Sequence, residues 1–241
     1  MTGISADPYW WQAAPPQDFH IGHWPDSADV VIIGGGYTGF GAAIPLARAG
    51  LDVVVLERDQ IGSGASTRNG GITSGNLRLS FDDLAKRFGA EKATAFYREA
   101  KAARADLAQF IISEKIDCDL QKCGRLVGAL RPESLDSMKR DAERLTKLLD
   151  IEATVYDRAS LPDYIDTSRY CGGMMRDDIG GIHPAKLLAG MCQIARQASV
   201  KIATQTKVIA VSQQNPSSPN PEFRVETSRG MIRAGHVISA T

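Results

Sequence analysis

An α/β fold is what the sequence predicts, and three stretches predict it. The first, "DVVIIGGGYTGFGAA" from Asp29, is a run of β-branched residues that stops at three glycines and resumes as small apolar ones. A Val/Ile run that is apolar on both faces reads as a buried parallel strand. The second, "LDVVVLER" from Leu51, is another such strand, reached through a helix-length segment that closes on "RAG". The third is "HVISAT", again a buried strand, at the end of the sequence. Strands that alternate with helical segments indicate a parallel sheet with crossover helices.

The junction between the first strand and its helix carries the chemistry. Gly34, Gly36 and Gly39 fit G-x-G-x-x-G, and Tyr37 and Thr38 open the helix. In a Rossmann-like turn the first glycine permits the bend, the second lets the backbone approach a pyrophosphate, and the third lets helix and strand pack closely. First-turn N–H groups and the positive end of the helix dipole then face the anion. The second strand closes on Glu57, 18 residues after Gly39, with Arg58 next to it. That spacing suits the carboxylate that accepts both hydroxyls of an adenosine ribose, so the expected ligand is a dinucleotide. Pro45 interrupts the phosphate-binding helix. Lying about two turns from its start, a kink there spares the phosphate site.

Bulk properties exclude several partners. With 28 Lys+Arg against 28 Asp+Glu and no long basic run, neither nucleic acid nor an anionic membrane surface is expected. No apolar stretch approaches the ~18 residues of a membrane span. The opening "MTGISADPYWWQAAPPQDFH" has no basic n-region or apolar h-region, so no secretory signal and a cytoplasmic location are expected. Cys118, Cys123, Cys171 and Cys192 include no C-x-x-C pair, which disfavours zinc. Cys118 and Cys123 show C-x4-C spacing but lie far beyond the glycine turn, and read as ordinary thiols. His20 and His23, beside Trp24, read as surface histidines for want of further ligands.

Along the chain, residues 1–28 read as an irregular arm whose aromatics (Tyr9, Trp10, Trp11, Trp24) pack onto the domain or a partner. "SFDDLAKRFG" predicts a helix capped by Ser80, and "AEKATAFYREAKAARADLAQFIISEK" a longer one. "GRLVGAL" predicts a strand. "PESLDSMKRDAERLTKLLD" predicts an amphipathic helix with Pro132 at its first position and Leu135, Met138, Ala142, Leu145, Leu148 and Leu149 facing a core. "YCGGMMRDDIGG" reads as a strand and glycine turn leading to a helix near Pro184. Three β-like stretches follow, "VKIATQTKVIAVSQQ", "FRVETSRG" and "MIRAGHVISAT", with "NPSSPNPE" as a loop between them.

The stretches "DVVIIGGGYTGFGAA", "GLDVVVLERDQIGSGASTRNGG", "KIDCDLQKCGRLVGAL" and "DDIGGIHPAKLLAG", in that order, resemble the FAD-dependent oxidoreductases of the D-amino-acid oxidase superfamily, in the gamma-glutamylputrescine oxidase-like branch. "GASTRNGG" is the most specific piece and separates such flavoenzymes from nicotinamide dehydrogenases. The resemblance implies an FAD-binding Rossmann-like domain with part of a second, α+β substrate domain, truncated at the C-terminus relative to typical members. The domain boundaries it suggests are an arm at 1–28, the first part of the FAD-binding domain at 29–79, a helical and strand insertion of the substrate domain at 80–170, and a return to the FAD-binding domain with a β-meander at 171–241.

The cofactor set it implies joins Gly34, Gly36, Tyr37, Thr38, Gly39, Glu57 and Arg58 to the loop that follows. There Ser63 and Ser66 can donate to phosphate or ribitol oxygens, Arg68 supplies fixed charge, and Asn69, Gly70 and Gly71 let backbone approach the flavin. Val208 fits the adenine clasp, and Ala240 and Thr241 fit the strand end that leads past the cofactor. His183, just before Pro184, is expected to shape the helix start, and no catalytic residue is assigned. The implied reaction is hydride transfer from a small-molecule amine or amino acid to the flavin, hydrolysis of the imine, and reoxidation by oxygen to hydrogen peroxide. The alternative is a dinucleotide-binding fragment or subunit without its own turnover.

Overall fold

A computed structural model of the chain describes residues 6–214 and 222–241. It divides into two compact units. The first comprises the residues up to Gly70, Glu114–Cys118 and His183–Thr241. The second comprises Gly71–Ser113 and Asp119–Ile182.

In the first unit, strand β1 (Ser27–Ile33), helix α1 (Tyr37–Arg48) and strand β2 (Val53–Leu56) form a parallel βαβ unit. All four residues of β2 are buried, as its unbroken Val/Leu composition requires of a strand covered on both faces. Helix α1 runs continuously through Pro45. The residue four earlier is Gly41, exposed and with nothing near the position of an added Cβ, so the carbonyl that loses its N–H partner can meet water.

Helix α5 (Pro184–Gln197) packs beside α1 and leads to β8 (Lys201–Ala203), which pairs parallel with β2. On the other side β1 pairs parallel with β11 (Gly230–Ser239), which continues antiparallel into β10 (Glu222–Thr227) and β9 (Val208–Gln214). The six-stranded order is β8-β2-β1-β11-β10-β9. Val31, Val54, Leu56, Val225 and Ile232 form its core. "VKIATQTKVIAVSQQ" is thus two strands on opposite edges of the sheet, parted by a turn in which Thr204 and Thr206 are buried. Alternation alone cannot reveal that break. The expected loop 215–222 lies, up to Pro221, outside the described residues.

The second unit holds β3 (Ile72–Thr73), α2 (Phe81–Phe88), α3 (Ala90–Ser113), β4 (Arg125–Ala129), α4 (Pro132–Leu149), β5 (Ala153–Asp157), β6 (Gly172–Arg176) and β7 (Gly180–Gly181). Ser80 caps α2 by accepting from the Asp83 N–H at 3.1 Å. Leu145 and Leu149 of α4 form a small core with Ile151, whereas Leu148, expected on the same stripe, is 40% exposed. Strand β6 is the centre of an antiparallel sheet, β4-β6-β5. Residues 171–182 and 71–79, expected in the nucleotide-binding part, therefore belong to the second unit, whereas Glu114–Cys118, expected in the insertion, belong to the first, and the final return begins at His183. For residues 171–182 the physical reason is β6, which hydrogen-bonds to β4 and β5 along its whole length.

Candidate functional site

The end of the βαβ unit builds a cleft of about 530 Å³. Gly34 turns the chain at φ +110°, and its N–H donates to the Leu56 carbonyl at 2.8 Å. A Cβ there would stand 2.5 Å from the Ala240 carbonyl oxygen, so β11 and the glycine turn meet backbone to backbone. At Gly39 an added Cβ would lie 2.0 Å from the Gly34 carbonyl oxygen, which fits the close helix–strand packing expected of the third glycine.

Helix α1 has Gly36 as its N-cap and no side-chain cap of its own. Its first intrahelical bond runs from Phe40 N–H to Gly36, which leaves the N–H groups of Tyr37, Thr38 and Gly39 without helical acceptors. Ser66, from the following loop, accepts from Tyr37 N–H at 3.1 Å, and its hydroxyl proton remains available to an anion. The phenol of Tyr37 donates to the Pro184 carbonyl at 2.8 Å and joins the starts of α1 and α5. Burial, with the nearby Cys118 thiol, pushes that phenol well above its ordinary pKa, so it stays protonated and keeps its proton for the Pro184 carbonyl.

Glu57 closes β2. Its Oε2 accepts from Gly35 N–H at 2.8 Å and its Oε1 from Asp59 N–H at 3.0 Å. A carboxylate offers about four lone-pair sites, so each oxygen retains acceptor capacity towards the cleft that Glu57 lines. Thr206, whose N–H donates to the Glu57 carbonyl at 2.8 Å, lines the cleft with Lys207 and Val208 at the start of β9 and with Ala240 and Thr241 after β11.

The structure gathers most of the expected residues, and not all of them. Gly34, Gly36, Tyr37, Thr38, Glu57, Arg58, Ser66, Val208, Ala240 and Thr241 line the cleft. Gly39 lies just behind the turn, against Gly34. Ser63, Arg68, Asn69, Gly70 and Gly71 are outside the lining. The Arg68 guanidinium donates to the Ser63 carbonyl at 2.9 Å and lies 4.5 Å from the centre of the Trp11 ring. Asn69 Nδ2 donates to the carbonyls of Ala65 and Ser66. Gly71 belongs to the second unit, where its carbonyl accepts from Ile182 N–H.

Sequence reasoning missed Gly35, Gln60, Leu188 and Thr206 in the lining. Gly35 had a signal in the run of three consecutive glycines, of which it is the middle one, and a Cβ there would meet both Ile61 and Glu57. His183 caps α5 by accepting from Lys186 N–H through Nδ1 at 3.2 Å, the structural role expected of it. Among the described residues no group of His, Cys, Asp and Glu could hold a metal, and none of the four cysteines is in a disulfide. No described helix is long and apolar enough to cross a membrane.

A glycine turn, a helix N-terminus and a strand-end carboxylate around one cleft are the arrangement of the dinucleotide-binding class of α/β proteins. Within that class the match is specific: residues 29–241 fit the DAO family, described as FAD dependent oxidoreductase, and the chain belongs to that family. It is 29% identical over 214 residues to gamma-glutamylputrescine oxidoreductase of Escherichia coli (strain K12), covering 89% of this chain and 49% of that protein. It is 30% identical over 247 residues to "Probable oxidoreductase OrdL" of Rhizobium meliloti (strain 1021), covering 100% of this chain and 55% of that protein. The chain thus spans about half the length of these relatives. In fold it matches glycine oxidase from Geobacillus kaustophilus with a TM-score of 0.73 at 21% identity, over 90% of this chain and 55% of that one. L-amino acid deaminase from Proteus myxofaciens matches with the same TM-score and identity, over 95% and 48%.

FAD is the cofactor of this family, and the chemistry of the cleft fits its adenosine diphosphate half. The cleft offers N–H donors at the start of α1, an acceptor-only group at Glu57 for hydroxyls, and apolar walls in Ile33, Leu56, Leu188 and Val208.

Proposed function

We propose that the chain is the cofactor-holding part of a cytoplasmic FAD-dependent oxidase acting on an amine or amino acid of the gamma-glutamylputrescine type, with oxygen as electron acceptor. The observation that carries the reading is the single cleft in which Glu57, the Gly34–Gly36 turn and the start of α1 converge. Glu57 accepts the ribose hydroxyls, and the turn with Tyr37 and Thr38 faces the diphosphate. Ser66 donates to it while accepting from Tyr37 N–H. Val208 walls the adenine end, and Ala240 and Thr241 lead β11 past the cofactor. Arg58, exposed at the rim, pairs with Asp59 at 3.1 Å beside Glu57 and offers the remaining N–H groups of its guanidinium to the cofactor. Ser63, Arg68, Asn69, Gly70 and Gly71 shape the segment leading towards the flavin, where backbone can approach the ring without a side chain intervening.

When bound, FAD supplies two-electron acceptance from the carbon next to the substrate nitrogen. The protein's contribution is position: fixed N–H donors cost no reorganisation when the diphosphate arrives. The similarity to gamma-glutamylputrescine oxidoreductase supports the choice of substrate class.

The test is flavin absorbance of the purified chain, followed by amine-dependent peroxide release with a panel that includes gamma-glutamylated polyamines. Flavin bands are expected of the chain, and peroxide from an amine of the whole oxidase of which it is the cofactor-holding part. Absence of flavin after incubation with FAD refutes the cofactor site. Flavin without turnover marks a dinucleotide-binding module, and nicotinamide reduction with a hydroxy acid would contradict the oxidase reading.

A further inference from the structure

We infer that the N-terminal arm is a strap that holds the Gly62–Asn69 loop in its cofactor-ready shape, with Trp10 and Trp11 as positioning residues. The inference rests on the cofactor reading of the cleft. A short 3-10 turn, Tyr9–Gln12, presents two indoles to the loop. Trp11 Nε1 donates to Thr67 Oγ1 at 2.9 Å, and Thr67 Oγ1 in turn donates to the Gly62 carbonyl. Trp10 Nε1 donates to the Asn69 carbonyl at 2.8 Å. The Arg68 guanidinium lies over the Trp11 ring, and the Trp10 ring meets His183 edge-on at 4.9 Å between centroids.

The anchoring continues down the arm. Gln17 exchanges two backbone hydrogen bonds with Ile61, each 2.9 Å. Phe19 and Thr204 hold each other through backbone and hydroxyl, with Phe19 N–H donating to Thr204 Oγ1 at 2.8 Å. Beneath the arm only about 10 Å³ of space remains, between Pro15, Ile61, Thr67 and Leu188, roughly room for one water.

Function enters through what the loop carries. Gly62, Gly64, Ala65 and Ser66 line the cleft, and Ser66 sits on the first N–H of α1. The loop is rich in Gly and Ser and pairs with no strand, so by itself it has many conformations to lose. Thr67 is 1% exposed, and a buried hydroxyl with a donor on one side and an acceptor on the other fixes the backbone around it. Fixing Thr67 fixes Ser66 one residue away. The arm thereby meets the ordering cost of the loop before the cofactor arrives, which is preorganisation.

The experiment uses the full chain with three substitutions. Trp11→Phe keeps a ring under Arg68 and removes the N–H donor. Thr67→Val keeps the shape and removes the hydroxyl relay. Trp24→Phe removes an arm indole that donates to the Met231 carbonyl, away from the loop. Two readouts are taken: amide hydrogen exchange of the apoprotein over residues 63–69, and the rate of FAD dissociation. For Trp11→Phe and Thr67→Val both should rise about fivefold to tenfold, the factor that one buried hydrogen bond corresponds to. Exchange in β1 and in α3 should not change. The double substitution should add little to either single one, and Trp24→Phe should behave as wild type. Wild-type exchange and wild-type FAD release in both loop variants would overturn the strap. A uniform rise in exchange across the chain would also overturn it, by showing a purely structural role. If the wild type holds no FAD, the cofactor reading fails, and the apoprotein exchange still decides whether the arm orders the loop.

Discussion

Replacing Glu57 by Gln asks most of the geometry for the smallest change in shape. Both carboxylate oxygens are engaged by backbone donors, Gly35 N–H at 2.8 Å and Asp59 N–H at 3.0 Å. A glutamine offers one oxygen and one NH₂, so one of the two N–H groups loses its acceptor. Gly35 is buried and Asp59 exposed, so the surviving oxygen turns to Gly35 and Asp59 turns to water. The bond that remains is neutral instead of charge-assisted, and the apoprotein loses about 1 kcal/mol. FAD loses more. The ribose hydroxyls exchange a charged acceptor for a neutral one with half its lone pairs, a loss of about 1.5–3 kcal/mol, or roughly a 10- to 150-fold rise in Kd. Titration of apoprotein with FAD, followed by flavin fluorescence, measures the second effect, and chemical denaturation the first. An unchanged Kd alongside a destabilised apoprotein would refute the ribose assignment and leave Glu57 as a residue that only fixes the turn.

Gly39→Ala places a Cβ 2.0 Å from the Gly34 carbonyl oxygen, so α1 must move away from β1, with a loss of about 1–3 kcal/mol by denaturation and weaker FAD binding. Wild-type stability of that variant would contradict the packing. A disulfide reagent at about pH 8 should label the exposed Cys123 first; Cys192, its thiol pushed up to about 12 by burial, should react only after unfolding. Hydrogen bonds from Gln60 and Gln205 hold the Asp18 carboxyl below its ordinary value of 3.8. A depressed folded-state value means its contribution is present above 3.8 and lost as pH falls through that lower value, so Asp18→Asn should lower the melting temperature at neutral pH and match wild type in acid.

What the sequence makes legible is local. The Val/Ile strand, the glycine turn and the acid 18 residues after Gly39 all lie within one βαβ unit, where spacing and shape are nearly the same thing. The caps at Ser80 and His183 are equally local. What escapes is pairing between distant segments. The sequence of β6 marks a strand, yet nothing in it says that the partners are β4 and β5, and so the division at residue 171 shifts to His183. Strand β5, "ATVYD", is too short for its alternation to stand out. The contacts of Trp10 and Trp11 span 59 and 56 residues, and no period connects an indole to a threonine at that range. Arg68 is expected to supply fixed charge to the cofactor, and nothing in the sequence says that in the fold its guanidinium donates to the Ser63 carbonyl and lies over the Trp11 ring.

A crystal structure of the full chain with FAD tests the central claim most directly. The adenosine ribose hydroxyls should lie within about 2.5–3.0 Å of the Glu57 carboxylate. The diphosphate should lie over the turn from Gly34 to Thr38, with Ser66 in contact. A diphosphate bound elsewhere, or a ribose out of reach of Glu57 in a fully occupied complex, would contradict the claim.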